Sequence, residues 1–107
     1  MINFFKKKIE NNSIELYLNG FKVSQNKFNW SKINNIIAHK IDLITTDEIY
    51  LSIKSNNQEI VLTENYLGWN DFLKEVYNQF PEIDKNWESK IIQPAFSRNE
   101  IELYSRK

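Results

Sequence analysis

Between residues 13 and 63 apolar and polar positions alternate, the period of strands with one buried face. Ile14, Leu16 and Leu18 share one side, with Ser13, Glu15 and Tyr17 on the other. Asn19-Gly20 is the strongest hairpin signal in the chain. Its partner strand runs from Phe21 through Val23 and resumes at Lys27-Phe28-Asn29-Trp30, after which Ser31 caps a short turn through Lys32 and Ile33. From Ile36 to Ile44 the alternation puts Ile37, His39, Ile41 and Leu43 on one side and Ala38, Lys40 and Asp42 on the other. Thr45-Thr46-Asp47 reads as a turn. Ile49, Leu51 and Ile53 then alternate with Tyr50, Ser52 and Lys54, and Ser55-Asn56-Asn57 closes another hairpin onto residues 59–63, with Ile60 and Leu62 inward. Strands spaced by roughly ten residues make an antiparallel meander.

The period changes after residue 65. Trp69, Phe72, Leu73, Val76, Tyr77 and Phe80 follow i, i+3, i+4, i+7, i+8 and i+11, the stripe of an amphipathic helix over about 66–80. Pro81 ends it, because the residue before a proline is pushed out of helical geometry. In the segment 81–99, Asp84 caps a helical turn through Trp87 to Ser89, and an extended stretch holding Pro94 runs from Ile91 to Phe96. Alternation of Ile101 and Leu103 with Glu102 and Tyr104 gives a last strand at about 100–106. The expected fold is therefore α+β, one domain over residues 1–107: a curved antiparallel sheet or partial barrel packed on one C-terminal amphipathic helix, with a final strand after it. A curved sheet cannot bury its inner face alone, and the helix supplies the cover.

Composition narrows the chemistry. The 107 residues hold no cysteine, which removes disulfides, thiolate catalysis and Cys-bound zinc. Lys plus Arg equals Asp plus Glu at 14 each, so no global field draws nucleic acid, and no basic stripe with interleaved aromatics appears. Two Gly and two Pro leave no phosphate-cradling glycine loop. Apolar residues precede basic ones at the start, the reverse of a signal peptide, and no apolar run is long enough to span a bilayer, so a cytoplasmic protein is expected. The many Ile, Asn and Lys residues have A/T-rich codons and reflect a host genome.

The order of elements resembles the pleckstrin-homology-like superfold, a bent antiparallel barrel closed at one end by a helix. Phe28-Asn29-Trp30-Ser31-Lys32-Ile33-Asn34-Asn35-Ile36 looks like the W-x-x-I-x-x-I segment of bacterial and GRAM-type members. Gly68-Trp69-Asn70-Asp71-Phe72, Phe80-Pro81-Glu82-Ile83, Trp87 and Gln93-Pro94-Ala95-Phe96 look like a group of short bacterial proteins. The resemblance covers residues 13–107 and departs from the usual pattern in the strand that follows the helix. It implies binding of lipids, peptides or proteins and carries over no catalytic residue and no cofactor.

Candidate chemistry is sparse. His39 is the only histidine, and its alternation with Ile37 and Ile41 reads as a core or edge position. A metal site combining it with Asp42, Asp47 or Glu48 mixes strand faces, so no metal is expected. The carboxylate pairs Asp47–Glu48 and Glu64–Asp71 fit capping and solvation. Eight serines include no nucleophile elbow, and one histidine would have to serve any triad, so no enzyme is expected. For binding, Trp87 and Phe96 after the helix and Tyr17, Tyr50, Lys40 and Lys54 on outer strand faces offer a partner surface. Phe4, Phe5, Lys6, Lys7 and Lys8 form a second, membrane-facing candidate, at about 1 kcal/mol per lysine near anionic headgroups. The expected function is a non-enzymatic, cytosolic bacterial protein-binding module, one concrete version being an immunity or inhibitor protein that covers its partner. The alternative is a peripheral lipid-binding domain using the Phe4–Lys8 end.

Overall fold

A computed structural model of the chain describes residues 12–42, 47–93 and 98–106, and leaves aside the side chains of Asp42 and Asp47. The Phe4–Lys8 cluster, Leu43 to Thr46, Pro94 and Phe96 therefore lie outside the described residues. Among the described residues seven strands fall into two antiparallel sheets. β1 (Ile14–Tyr17), β2 (Gly20–Val23) and β3 (Asn26–Asn29) make the first, in that order. β4 (Ile33–Asp42), β5 (Asp47–Ser55), β6 (Gln58–Thr63) and β7 (Asn99–Ser105) make the second, in the order β6-β5-β4-β7. Two helices, α1 (Trp69–Gln79) and α2 (Trp87–Ile91), lie in the chain between β6 and β7. The α+β class and the strand after the helix are as expected; the described residues form two sheets and no closed barrel.

The turns explain the small-sheet register. Tyr17 pairs with Gly20, so the loop residues are Leu18 and Asn19, one step earlier than Asn19-Gly20 predicts. Glycine is needed at position 20 for another reason: a Cβ there would stand 1.8 Å from the Phe28 carbonyl oxygen. On β1 the expected apolar face stops at Ile14, since Leu16 is 41% and Leu18 90% exposed. Between β5 and β6, Asn56 takes a positive φ of 35°, a conformation asparagine tolerates better than most residues.

Both sheets and both helices feed one core. Phe21 stacks on Phe28 with ring centroids 5.0 Å apart and meets the edge of Phe72 at 4.9 Å. Trp30, in a single 3-10 turn (Trp30–Lys32), lies between Phe72 at 6.0 Å and Phe80 at 6.2 Å. Phe80 in turn meets Tyr104 of β7 at 4.4 Å. The α1 stripe is the expected one, with Trp69, Phe72, Leu73, Val76 and Phe80 buried in the same core as Leu51, Ile53 and Leu62 of the large sheet. The helix starts at Gly68, whose φ of 86° suits glycine and whose absent Cβ would meet the Ile14 carbonyl oxygen at 2.6 Å. That closeness follows from a main-chain tie: Ile14 N donates to Leu67 O (2.8 Å) and Leu67 N to Asn12 O (3.1 Å).

Four expectations need correcting here. First, β4 faces the other way: Ile36, Ala38 and Lys40 point into the core, whereas Ile37, His39 and Ile41 are only partly covered. An extra residue causes this, because Ile33 pairs with Ser55 but Asn35 with Lys54, so Asn34 bulges and the parity after it is reset. Second, β7 carries a matching irregularity: Ile36 pairs with Tyr104 and Ile37 with Glu102. Leu103 is the extra residue, so Tyr104 turns to the core instead of alternating away from Leu103. Third, Ile91 is not extended. It ends α2 and is fully buried with Trp87 against β4 and β7. Fourth, Asp84 is not the cap of α2, a place that Asn86 takes; it stands two residues earlier, its carboxylate accepting from Asn86 N at 2.9 Å and its carbonyl from Trp87 N at 3.1 Å.

Candidate functional site

The helices occupy the inner side of the large sheet, which leaves its outer face as the surface where strand side chains can work. Along that face β5 contributes Glu48, Tyr50, Ser52 and Lys54, and β4 contributes Ile37, His39 and Ile41. Val61 of β6 pairs with Ser52, and Glu100 of β7 pairs with His39. At its centre opens a groove of about 530 Å³, lined by Ile41, Tyr50 and Val61 and by the polar groups of His39, Ser52, Arg98 and Glu100.

The polar groups form a connected row. His39 Nδ1 stands 3.2 Å from Glu100 Oε2, and His39 Nε2 is 3.0 Å from Ser52 Oγ. A carboxylate only accepts, so the Nδ1 facing it carries the hydrogen. In the neutral imidazole Nε2 is then the acceptor and the Ser52 hydroxyl the donor. Ser52 has Ile37 and Val61 as cross-strand neighbours, neither able to hydrogen-bond, which turns its hydroxyl toward the imidazole. Beside this row, the Tyr50 phenol is held above its ordinary range, first by its hydrogen bond with Glu48, then by burial and the Glu48 charge. Glu48 also accepts from Asn65 Nδ2 at 2.6 Å, and Glu64 accepts from Ile49 N at 3.2 Å, so both acids have structural partners.

The residues singled out from sequence do not gather in one place. Tyr50 and Lys54 lie on the outer face of β5, as expected. Tyr17 belongs to the other sheet and donates to the Phe28 carbonyl at 3.1 Å. Lys40 is not a surface residue: only 1% exposed, it runs through the core side and donates to the Ile92 carbonyl at 2.9 Å, tying β4 to the end of α2. Trp87 is not one either. It is buried, and its indole N–H donates to the Tyr77 hydroxyl at 2.9 Å. Burial raises the Tyr77 hydroxyl above its ordinary range, against the opposing pull of the Trp87 hydrogen bond. Trp30 is core, and its Nε1 meets no acceptor among the described residues.

Sequence reasoning missed Ser52 and Glu100 as partners of His39. The separations of 13 residues from Ser52 and 61 from Glu100 form no motif, and only the strand order β5-β4-β7 brings the three together. The available signal was the unpaired oddness of a serine and a histidine in apolar β-type runs. Among the described residues no group of His, Asp or Glu side chains is placed to hold a metal ion, and no helix is long and apolar enough to cross a membrane. No protein-family model, curated protein or solved structure matches the chain.

Proposed function

We propose that this protein is a protein-binding module whose working surface is the outer face of the four-stranded sheet. One observation carries the reading: the groove between Tyr50 and Val61 has apolar walls and a rim of mixed charge, and neither helix covers it. An exposed Val61 beside a partly covered Tyr50 and Ile41 is the arrangement of a binding hot spot, a small apolar centre ringed by polar groups. The partner is a folded protein that presents an apolar side chain to the groove, bordered by the charges of Arg98 and Glu100. An inhibitor-type role, in which a small chain acts by covering its partner's surface, is the concrete form we favour. The pleckstrin-homology-like reading belongs to this proposal, supported by antiparallel sheets around one amphipathic helix, with β7 beside β4 as its departure.

The test is capture of the tagged protein's partner in its own host, with wild type, Tyr50→Ala, Val61→Asp and Leu18→Asp compared side by side. One protein recovered near stoichiometrically with wild type and Leu18→Asp, and lost with the two sheet-face variants, supports the reading. Capture that the face variants leave intact, or recovery of anionic lipid instead, overturns it.

A further inference from the structure

Beyond partner binding, and independent of it, we propose that the Ser52–His39–Glu100 row is a nucleophilic site acting on small esters. The three side chains come from three adjacent strands and are joined by contacts of 3.0 and 3.2 Å. That is the order nucleophile, base and orienting carboxylate, recognised by geometry and not by sequence position. In the neutral ring the contact with Glu100 favours the productive tautomer, with the hydrogen on Nδ1 and the Nε2 lone pair toward Ser52 Oγ. All three groups line the same groove of about 530 Å³, a volume in the range of small-ligand sites. Its apolar side, Ile41 and Val61, takes an uncharged acyl group, and Arg98 on its rim supplies positive charge for a developing oxyanion.

In the reaction the Ser52 oxygen attacks the ester carbonyl carbon as its proton passes to His39 Nε2. The carbon–oxygen bond to the alcohol breaks, and the proton on Nε2 goes to the leaving alkoxide. Water then gives a proton to Nε2 and its oxygen attacks the acyl-serine. The carboxylic acid leaves, and the proton returns to the Ser52 oxygen, restoring the starting state. Water is the only co-reactant.

The experiment treats the full chain with an alkyl fluorophosphonate and follows intact mass, with peptide mapping of the adduct and p-nitrophenyl acetate hydrolysis alongside. Expected is one adduct per chain, on Ser52, absent from Ser52→Ala. His39→Gln slows labelling by about 100-fold or more, and Glu100→Gln by about tenfold or more, in variants whose circular dichroism and melting match wild type. Asn19→Ala, far from the groove, labels at the wild-type rate. No adduct on the folded wild type, an adduct on another residue, or equal rates in wild type and His39→Gln overturns the proposal. These outcomes are read without any partner, so failure of the binding reading leaves them unchanged.

Discussion

Replacing Phe72 with alanine removes the α1 ring at the junction of the helix, the small sheet and the Trp30 turn. Phe72 is fully buried, with Phe21 at 4.9 Å, Trp30 at 6.0 Å and Trp69 at 6.3 Å. A buried aromatic side chain takes roughly 150–250 Å² out of water. At about 25 cal/mol per Å² that is roughly 4–6 kcal/mol, less what the alanine methyl retains. The cavity adds to the loss as far as the site cannot collapse, and a site walled by rings from the small sheet, the 3-10 turn and the helix itself collapses poorly. Measured Phe→Ala changes in cores span about 3–5 kcal/mol, and the upper half of that span is expected here. Domains of this size hold about 5–15 kcal/mol in all, so the variant sits close to unfolding at ambient temperature. Urea unfolding followed by tryptophan fluorescence gives the number, since the indoles of Trp30 and Trp69 lie next to the vacated space. The urea slope should be unchanged. A loss below 1 kcal/mol would refute the placement of Phe72 at the junction, and Phe72→Leu should lose less than Phe72→Ala under the same conditions.

Other outcomes follow from single contacts. Tyr77→Phe deprives the buried Trp87 indole N–H of its acceptor and should cost about 1–3 kcal/mol in the same urea assay. The same variant should lose an alkaline step. Burial raises the Tyr77 hydroxyl, so its contribution is complete below the unfolded value near 10 and is lost as pH rises through the higher folded value. Melting scans from pH 8 to 11.5 show this as a steeper alkaline decline in wild type than in Tyr77→Phe. Gly68→Ala forces a side chain into a φ of 86° against the Ile14 carbonyl, and should cost about 1–3 kcal/mol by thermal unfolding. A change within 0.5 kcal/mol would show that the Gly68–Ile14 approach is not as close as described.

Much of the fold was legible because most elements obey one period. The α1 stripe is unambiguous, since six apolar residues at helical spacing end against Pro81. The inward set Ile49, Leu51, Ile53 and Leu62 is equally clear, because β5 and β6 pair without irregularity. β4 was misread because a bulge at Asn34 shifts parity by one, and no local residue signals it. Hydrophobicity then pointed the wrong way: Ile37 and Ile41 look like core beside Ala38 and Lys40. Yet Ala38 and the lysine stem are what the inner side holds, under α2. Trp87 was misplaced for a related reason. Its helix is five residues long, too short for a period to show which side is buried. The row of Ser52, His39 and Glu100 was invisible because it depends on β7 returning past β6 and β5 to pair with β4, a long-range choice that no spacing encodes.

Both the binding face and the nucleophile require that, after the bulge at Asn34, β4 turns Ala38 inward and His39 outward. The chain has no cysteine, so a single introduced thiol reports its own exposure. Ala38→Cys and His39→Cys are labelled with a water-soluble maleimide in the folded state and compared with urea-unfolded controls. Position 39 should react close to the unfolded rate. Position 38, at 0% exposed, should be protected at least 100-fold until the protein opens. Fast labelling at 38 with protection at 39 would put His39 in the core, and would remove the groove, its binding face and its reactive serine together.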